Sequence, residues 1–456
     1  MKLPLCSVII FLGVFISGSI PIKISAQSVK SDSWMQYESV EEGGFSKTIL
    51  DSVENIYHQS GASALLVVSD GKIALSLGET TRRFMTHSIR KSFLSALLGI
   101  EVGKGNIDLQ ATLKDLNINE NTPLTEVEKG AKIEHLLMAR SGIYLPSAYS
   151  PSSMEENLPE RGSALPGDHW YYNNWDFNSL VTIYNQQTEI DFFKAFKDKI
   201  ALSIGMEDFR LMDTYYRYEK DRSTHPAYLF NMSARDMARF GQLYLNRGTW
   251  NGVQIIPETW VDKSTSTLST DLGRFTERGG YGYLWWTDET HHGNRMYYAS
   301  GSGGHRIIVL PDDEMVIVTR ANTYENRMIA GDKLEKIVQL VIDAKIGSPI
   351  VNPSLIPYTP ETATVKKQYE GSMDRYLGAY LHPFLGTMEV VKDDGGYLLK
   401  NNIGSFRMWP VEEDLFYPED LQVHVRMVQT ADDAKRRKMD MVFNNDRSLK
   451  EVICYY

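Results

Sequence analysis

Ser88 and Lys91 stand three residues apart in "HSIRKSFLSALLGIEVGKGNIDL" (87–109). A serine hydroxyl becomes a nucleophile only with a base beside it. A lysine amine serves as that base only when neutral. Free lysine titrates near 10.4, so holding Lys91 neutral near pH 7 takes roughly 4–5 kcal/mol, from burial or from a neighbouring cation. Residues three apart share a helix face, and Ile89, Phe93, Leu97 and Ile100 form an apolar stripe at helical spacing. Ser88 is therefore expected at the N-terminus of a core-held helix, where orphan N–H groups and the positive dipole end favour developing negative charge. Spacing alone is a weak signal: Ser69 and Lys72 share it, on a hairpin turn that splays the two side chains. Taken alone, Ser88 and Lys91 are better read as a helix cap and a solvated lysine.

Two further stretches hold matching chemistry. "LPGDHWYYNNWDFNSL" (165–180) offers two overlapping Tyr-x-Asn options, Tyr171/Asn173 and Tyr172/Asn174. A tyrosine beside a serine–lysine pair can relay protons between nucleophile and leaving group, and an asparagine amide can orient substrate and lysine. "YASGSGGHRIIVLP" (298–311) puts a glycine-rich turn between two strands. Glycine there lets a substrate backbone approach closely, and one backbone N–H of this turn, with that of Ser88, could form an oxyanion hole.

The elements that must position these residues follow from periodicity. "ASALLVVSDGKIALSLGE" (62–79) is two apolar runs joined by Asp70-Gly71, a hairpin signal. From about 105 to 270 helical patterns alternate with loops: "KIEHLLMARSGIYLP" (132–146) reads as a helix stopped by Gly142, and "DFNSLVTIYNQQ" (176–187) and "SARDMARFGQLYLNRG" (233–248) as amphipathic helices, the latter capped by Ser233 and stopped by Gly248. Strands return at 295–300, 305–311 and 314–321, and a helix covers about 327–345. Terminal strands can share one antiparallel sheet with the helical block inserted, an α+β arrangement. "IGSPIVNPSLIPYTPETAT" (346–364) reads as a linker. Residues 365–456, with turn chemistry at Asp394-Gly395 and Asn445-Asp446, read as a small all-β domain, sandwich or barrel.

Composition bounds the rest. The chain has 456 residues, 42% hydrophobic and 23% charged, enough for large cores. Its net charge of -10 is spread rather than clustered, which argues against a nucleic-acid partner. Residues 1–26 read as a secretory signal peptide: Lys2, an apolar run from about Leu3 to Ile16, and a cleavage site at Ser25-Ala26. The run is shorter than the roughly 20 residues a bilayer span needs, so no stable membrane span is expected after cleavage. Of the two cysteines, Cys6 and Cys454, cleavage leaves one, so neither an internal disulfide nor a cysteine metal site is expected.

Together, the three motifs in this order resemble the serine β-lactamase, penicillin-binding protein and esterase superfamily. Within it they resemble the Tyr-x-Asn branch of class C β-lactamases, D-aminopeptidases, related esterases and 6-aminohexanoate-dimer hydrolases. The resemblance covers about residues 50–345 and includes "KIEHLLMARSGIYLP" and "MSARDMARFGQLYLNRGTWNGVQIIPETWV". It implies a β-lactamase/transpeptidase-like fold, antiparallel sheet plus helical region, with the site between them. It implies Ser88 as nucleophile and, by the spacing from Pro166-Gly167, Tyr172 and Asn174 rather than Tyr171 and Asn173. Neither metal nor organic cofactor is implied.

One departure stands out. Where the family carries Lys-Thr-Gly or His-Thr-Gly, this chain has Ala299-Ser300-Gly301, in a register that can slip along Ser300, Gly301 and Ser302. The missing cation leans toward a neutral ester or amide substrate, unless His305 or Arg306 takes over charge recognition. The expectation is a secreted, periplasmic serine hydrolase with catalytic Ser88, Lys91 and Tyr172, substrate-binding Asn174, Ser300, Gly301 and Ser302, and a small-molecule or peptide-like ester or amide substrate. A D,D-peptidase or β-lactamase is the alternative enzyme, and a non-catalytic cell-envelope ligand-binding module the alternative of another class.

Other residues carry lesser expectations. A charged His87 would bias Lys91 toward neutrality. His225 and Tyr228 are candidates for the cleft wall, and Trp285-Trp286 for core. His291-His292 is read as adjacent strand residues pointing to opposite faces, not as a metal pair.

Overall fold

A computed structural model describes residues 33–456 except 274–278, 362–368, 383–385, 394–395, 401–404, 413–414, 419–423, 430–436, 443–451 and 455–456. The signal-like segment with Cys6, and the turn pairs Asp394-Gly395 and Asn445-Asp446, lie outside the described residues. No helix among the described residues is long and apolar enough to cross a membrane.

The fold centres on a nine-stranded sheet. Its strands run in the order Leu355–Pro357, Met35–Tyr37, Lys72–Gly78, Ala64–Ser69, Met315–Arg320, His305–Leu310, Arg295–Gly301, Trp286–Glu289 and Gly280–Tyr281. The Asp70-Gly71 hairpin forms as read, with Ser69 opposite Lys72 and positive φ at both turn residues. Lys72 Nζ there donates to the Asp70 carbonyl at 2.8 Å, while Ser69 Oγ donates to Asp70 and accepts from Lys345 Nζ, so the two do not pair with each other. All pairs are antiparallel except Met35–Tyr37 with Lys72–Gly78, which is parallel, so the sheet is mixed rather than purely antiparallel. Residues 355–357, read as part of a linker, are instead its edge strand.

Helices cover both faces. Lys47–Ser60 and Gly331–Ala344 pack on one, burying Leu50, Val53 and Tyr57 against Ile337 and Val341. The first of these helices is not among the elements expected from the sequence. The other face receives Ala234–Leu245, which begins where Ser233 accepts a hydrogen bond from the Asp236 N–H, and behind it the inserted helical region.

One helix of that region is shorter than its pattern. "KIEHLLMARSGIYLP" gives a helix only over Ile133–Leu137, because Ala139 takes a left-handed φ of 57° three residues before Gly142. The loop that follows docks onto helix Asn174–Thr188 through Ser141.

The C-terminal strands close into a barrel of eight, from Gly378–His382 to Val452–Cys454, sealed where Leu381 pairs with Cys454. Met388 and Val390, then Tyr397 and Leu399, point inward at alternate positions to meet Met408 and Phe416.

Candidate active site

The turn that carries Ser88 is built by its neighbours. Strand Phe84–Met85 pairs with Asn231 and Met232, and Thr86 N–H donates to Phe230 O at 2.9 Å. His87 then takes φ 49°, a left-handed conformation that costs an L-residue about 1 kcal/mol. Two side-chain contacts hold it there: Nε2 lies 2.9 Å from Thr323 Oγ1 and Nδ1 3.2 Å from Tyr149 OH. A 3₁₀ turn over His87–Ile89 leads into helix Arg90–Gly103. Ile89 is buried while Ser88 stays half-buried, so the kink turns one side chain into the core and leaves the other accessible.

Ser88, Lys91 and Tyr172 meet. Lys91 Nζ donates to Ser88 Oγ at 2.9 Å, and the Tyr172 hydroxyl also hydrogen-bonds Ser88. The lysine is 2% exposed. Its Nζ lies 4.8 Å from the Tyr172 ring centroid and 4.9 Å from that of Phe177. Burial, and then the Arg90 charge, push its pKa well below the ordinary lysine value. Burial pushes the Tyr172 phenol up to about 12, against the opposing pull of the Ser88 bond and Arg90. Burial thus favours the uncharged form of the amine and the protonated form of the phenol, both set on one serine oxygen.

Arg90 was not singled out in the sequence. It is 1% exposed, and its guanidinium lies 5.4 Å from the Tyr149 ring and 5.0 Å from the Tyr228 ring. Nη1 donates to His87 O at 3.1 Å. Among the described residues it has no carboxylate partner, so its field falls on Lys91. The sequence reading gave that part to a charged His87. Burial, with Arg320, Arg90 and Lys91 nearby, lowers His87 to about 3, so it is neutral and cannot fill it. The available signal was a basic residue inside the S-x-x-K spacing.

The other expected residues divide. Asn174 opens helix Asn174–Thr188; its Nδ2 donates to Tyr149 O at 2.7 Å, and its Oδ1 is buried with no hydrogen-bond partner among the described residues. Asn173 caps that helix instead, accepting from Asp176 N–H, and the Tyr171 hydroxyl donates to Met154 O, away from Ser88. Gly301 ends its strand against the nucleophile turn: a Cβ there would lie 2.5 Å from Thr86 O and 3.4 Å from His87 Cβ. Ser300 pairs with Arg306 on the strand's other face, and Ser302 is exposed in the turn before Gly303 and Gly304. His305 is buried 5.3 Å from the His87 ring, with its pKa pushed far down by burial. Arg306, over the Tyr298 ring at 5.6 Å, is the cation that lies across from Ser300. His225 packs against Trp175 and Thr182 rather than at the nucleophile, while Tyr228 lies under Arg90. Trp285 is core, but Trp286 reaches within 5.6 Å of the Tyr172 ring.

His291 and His292 depart from the expectation. They lie in a turn, not a strand, so their rings need not diverge, and both point at Asp343.

Asp176 supports the loop that delivers Tyr172. It is fully buried, accepts from Ser141 Oγ at 2.5 Å, and burial raises its pKa to about 8. A folded-state value above the unfolded one, near 3.9, favours the protonated form. The stability it contributes is complete below about pH 4 and is lost as pH rises toward 8. Asp176→Asn mimics the protonated carboxyl. Its melting temperature is expected to exceed that of the wild type by a margin that widens from pH 5 to pH 9, read by calorimetry across that range; a margin independent of pH would contradict the assignment.

This arrangement of mixed sheet, inserted helices and serine–lysine–tyrosine cluster defines a class of serine hydrolase. The β-lactamase family profile matches residues 51–340. The chain belongs to the β-lactamase family, and with it to the serine hydrolases of the β-lactamase and penicillin-binding-protein superfamily. No curated protein matches it. Among solved structures it is similar to a Bacillus anthracis protein provisionally named a 6-aminohexanoate-dimer hydrolase, at 22% identity and a TM-score of 0.51, covering 64% of this chain and 80% of that one. It is also similar to the octameric penicillin-binding protein homologue from Pyrococcus abyssi, at 16% identity and a TM-score of 0.50, covering 89% of this chain and 99% of that one. At such identities the likeness is one of fold.

Proposed function

We propose that the protein hydrolyses an ester or amide bond through an acyl-enzyme on Ser88. The observation that carries this reading is the 2.9 Å contact between Ser88 Oγ and a buried Lys91, with Tyr172 on the same oxygen. Lys91 takes the Ser88 proton as Oγ bonds to the carbonyl carbon, a choice of first base supported by the opposite directions in which burial moves the lysine and the tyrosine. Backbone N–H groups of Ser88 and Ser302 hold the oxyanion. As the intermediate collapses, the proton passes from Lys91 through Tyr172 to the leaving oxygen or nitrogen. Water, losing a proton along the same route, then releases the acid and frees Ser88. Asn174 and Gly301 position the substrate; Ser300, on the strand's other face, is not part of this step.

The preferred substrate is a small-molecule or peptide-like ester or amide. The second reading is a D,D-peptidase or β-lactamase; Arg306, on the face of Ser300 and away from the nucleophile turn, does not take the place of the family's cation for it. The signal-like residues 1–26 support export to the periplasm, and the closed barrel supports a separate domain over 365–456 following a hydrolase domain over 27–345.

The test is intact mass and burst kinetics with a p-nitrophenyl short-chain ester. The wild type is expected to show one transient acyl adduct and a burst, and Ser88→Ala neither. A burst surviving in Ser88→Ala overturns the assignment. A stable adduct with benzylpenicillin would select the second reading.

A further inference from the structure

A second cluster of chemistry-bearing side chains lies away from Ser88. His291 and His292 sit in the turn that joins strands Trp286–Glu289 and Arg295–Gly301. Asp343 is the penultimate residue of helix Gly331–Ala344. His291 Nε2 lies 2.7 Å, and His292 Nε2 2.9 Å, from one and the same oxygen, Asp343 Oδ1. The imidazole centroids are 3.9 Å apart.

The turn fixes this convergence by itself. Thr290 N–H donates to Asn294 O and Gly293 N–H to Thr290 O, and Thr290 Oγ1 accepts from the N–H groups of His292 and Asn294. Gly293, at φ 82°, lets the chain reverse tightly enough to set consecutive side chains on the same side.

As an ion pair the arrangement is poorly explained. The three side chains are 31%, 54% and 38% exposed, and exposed pairs of this kind contribute little. Two imidazoles crowd one oxygen, and protonating both would set like charges side by side. As a donor set it is coherent: neutral imidazole nitrogens and a carboxylate oxygen are the ligands that zinc and its first-row neighbours take. A metal at about 2.0–2.1 Å from each ligand sets tetrahedral neighbours about 3.3 Å apart, so the N···O separations here, 2.7 and 2.9 Å, need open by only about half an ångström to admit one.

We propose that His291 Nε2, His292 Nε2 and Asp343 Oδ1 form a binding site for a divalent first-row transition metal of the zinc class, its remaining positions filled by water. The metal ties the hairpin of Trp286–Glu289 and Arg295–Gly301 to the end of a helix on the sheet's face. Strand Arg295–Gly301 separates the turn from the nucleophile, its seven residues spanning about 20 Å. The site is therefore structural, and hydrolysis does not run through it.

The test uses untagged full-length protein, stripped with EDTA and titrated calorimetrically with zinc chloride and, separately, nickel chloride. One equivalent of zinc is expected to bind and to raise the melting temperature. Asp343→Asn and the double variant His291→Gln/His292→Gln are each expected to weaken zinc binding by at least about tenfold. Both variants should keep wild-type melting without metal and wild-type ester hydrolysis with or without it. Absence of zinc binding in the wild type, leaving a histidine–aspartate ion pair only, overturns the proposal. Zinc binding undiminished in both variants overturns it equally, since the metal would then sit elsewhere.

Discussion

Replacing Lys91 by methionine is expected to lower kcat by about 10³–10⁴-fold with little change in KM, because the amine that both accepts and returns the proton is removed. Lys91→Arg should do no better. Arginine keeps the charge but cannot give up its proton at any working pH, so a cation at this position is no substitute for a base. If Lys91 served only as a positive charge near the oxyanion, Lys91→Arg would restore much of the rate, and that result would sink the proposed role. The pH profile reads the same chemistry. Since burial and Arg90 hold the Lys91 pKa below the ordinary lysine value, the active amine form fills as pH rises through that lowered value. The acidic limb of kcat/KM should therefore lie below pH 10. Arg90→Gln, which removes the nearest cation and keeps a polar side chain, should move that limb to higher pH.

The largest effect on stability is expected at Phe93. Its ring meets Phe196 at 5.2 Å, Phe230 at 5.3 Å and Phe240 at 4.8 Å, and it is fully buried on the helix that begins just after Ser88. Phe93→Ala should cost about 3–5 kcal/mol, since it removes a transfer contribution and leaves a cavity among rings too large to close over it. Phe93→Leu should cost markedly less. Urea unfolding followed by fluorescence gives both values. Equal costs for the two variants would mean that the aromatic contacts, not the filled volume, carry the stability.

What could be read from the sequence was local. The Asp70-Gly71 hairpin and the Ser233 cap depend on residues within a few positions of one another, and they formed as read. The strand pairs at 295–320 are apolar runs that only a buried sheet accommodates. The catalytic candidates were legible as three short motifs whose meaning came from their order along the chain. Helix Lys47–Ser60 had a signal too, with Leu50, Val53 and Tyr57 at helical spacing before Gly61. Strands Met35–Tyr37 and Leu355–Pro357 had none, since three residues carry no period and the second ends in proline. The early end of helix Ile133–Leu137 was set by loop docking, which no local pattern encodes. Arg90 carried no expectation of its own, because the tyrosines that close over it, Tyr149 and Tyr228, come from two distant segments. The histidine pair was misread because a turn was taken for a strand.

The order of the sheet also sets a timetable. Strand Ala64–Ser69 has Met315–Arg320 as one neighbour, with Ala64 opposite Arg320, and the outer edge closes only when Leu355–Pro357 joins Met35–Tyr37. A ribosome that has finished the nucleophile helix has yet to make the strands on which that helix depends. Pairings so distant in sequence are slow to form, because a long loop must close before any contact rewards it. The nascent chain thus carries its serine and lysine without the sheet around them until strand Met315–Arg320 has been made.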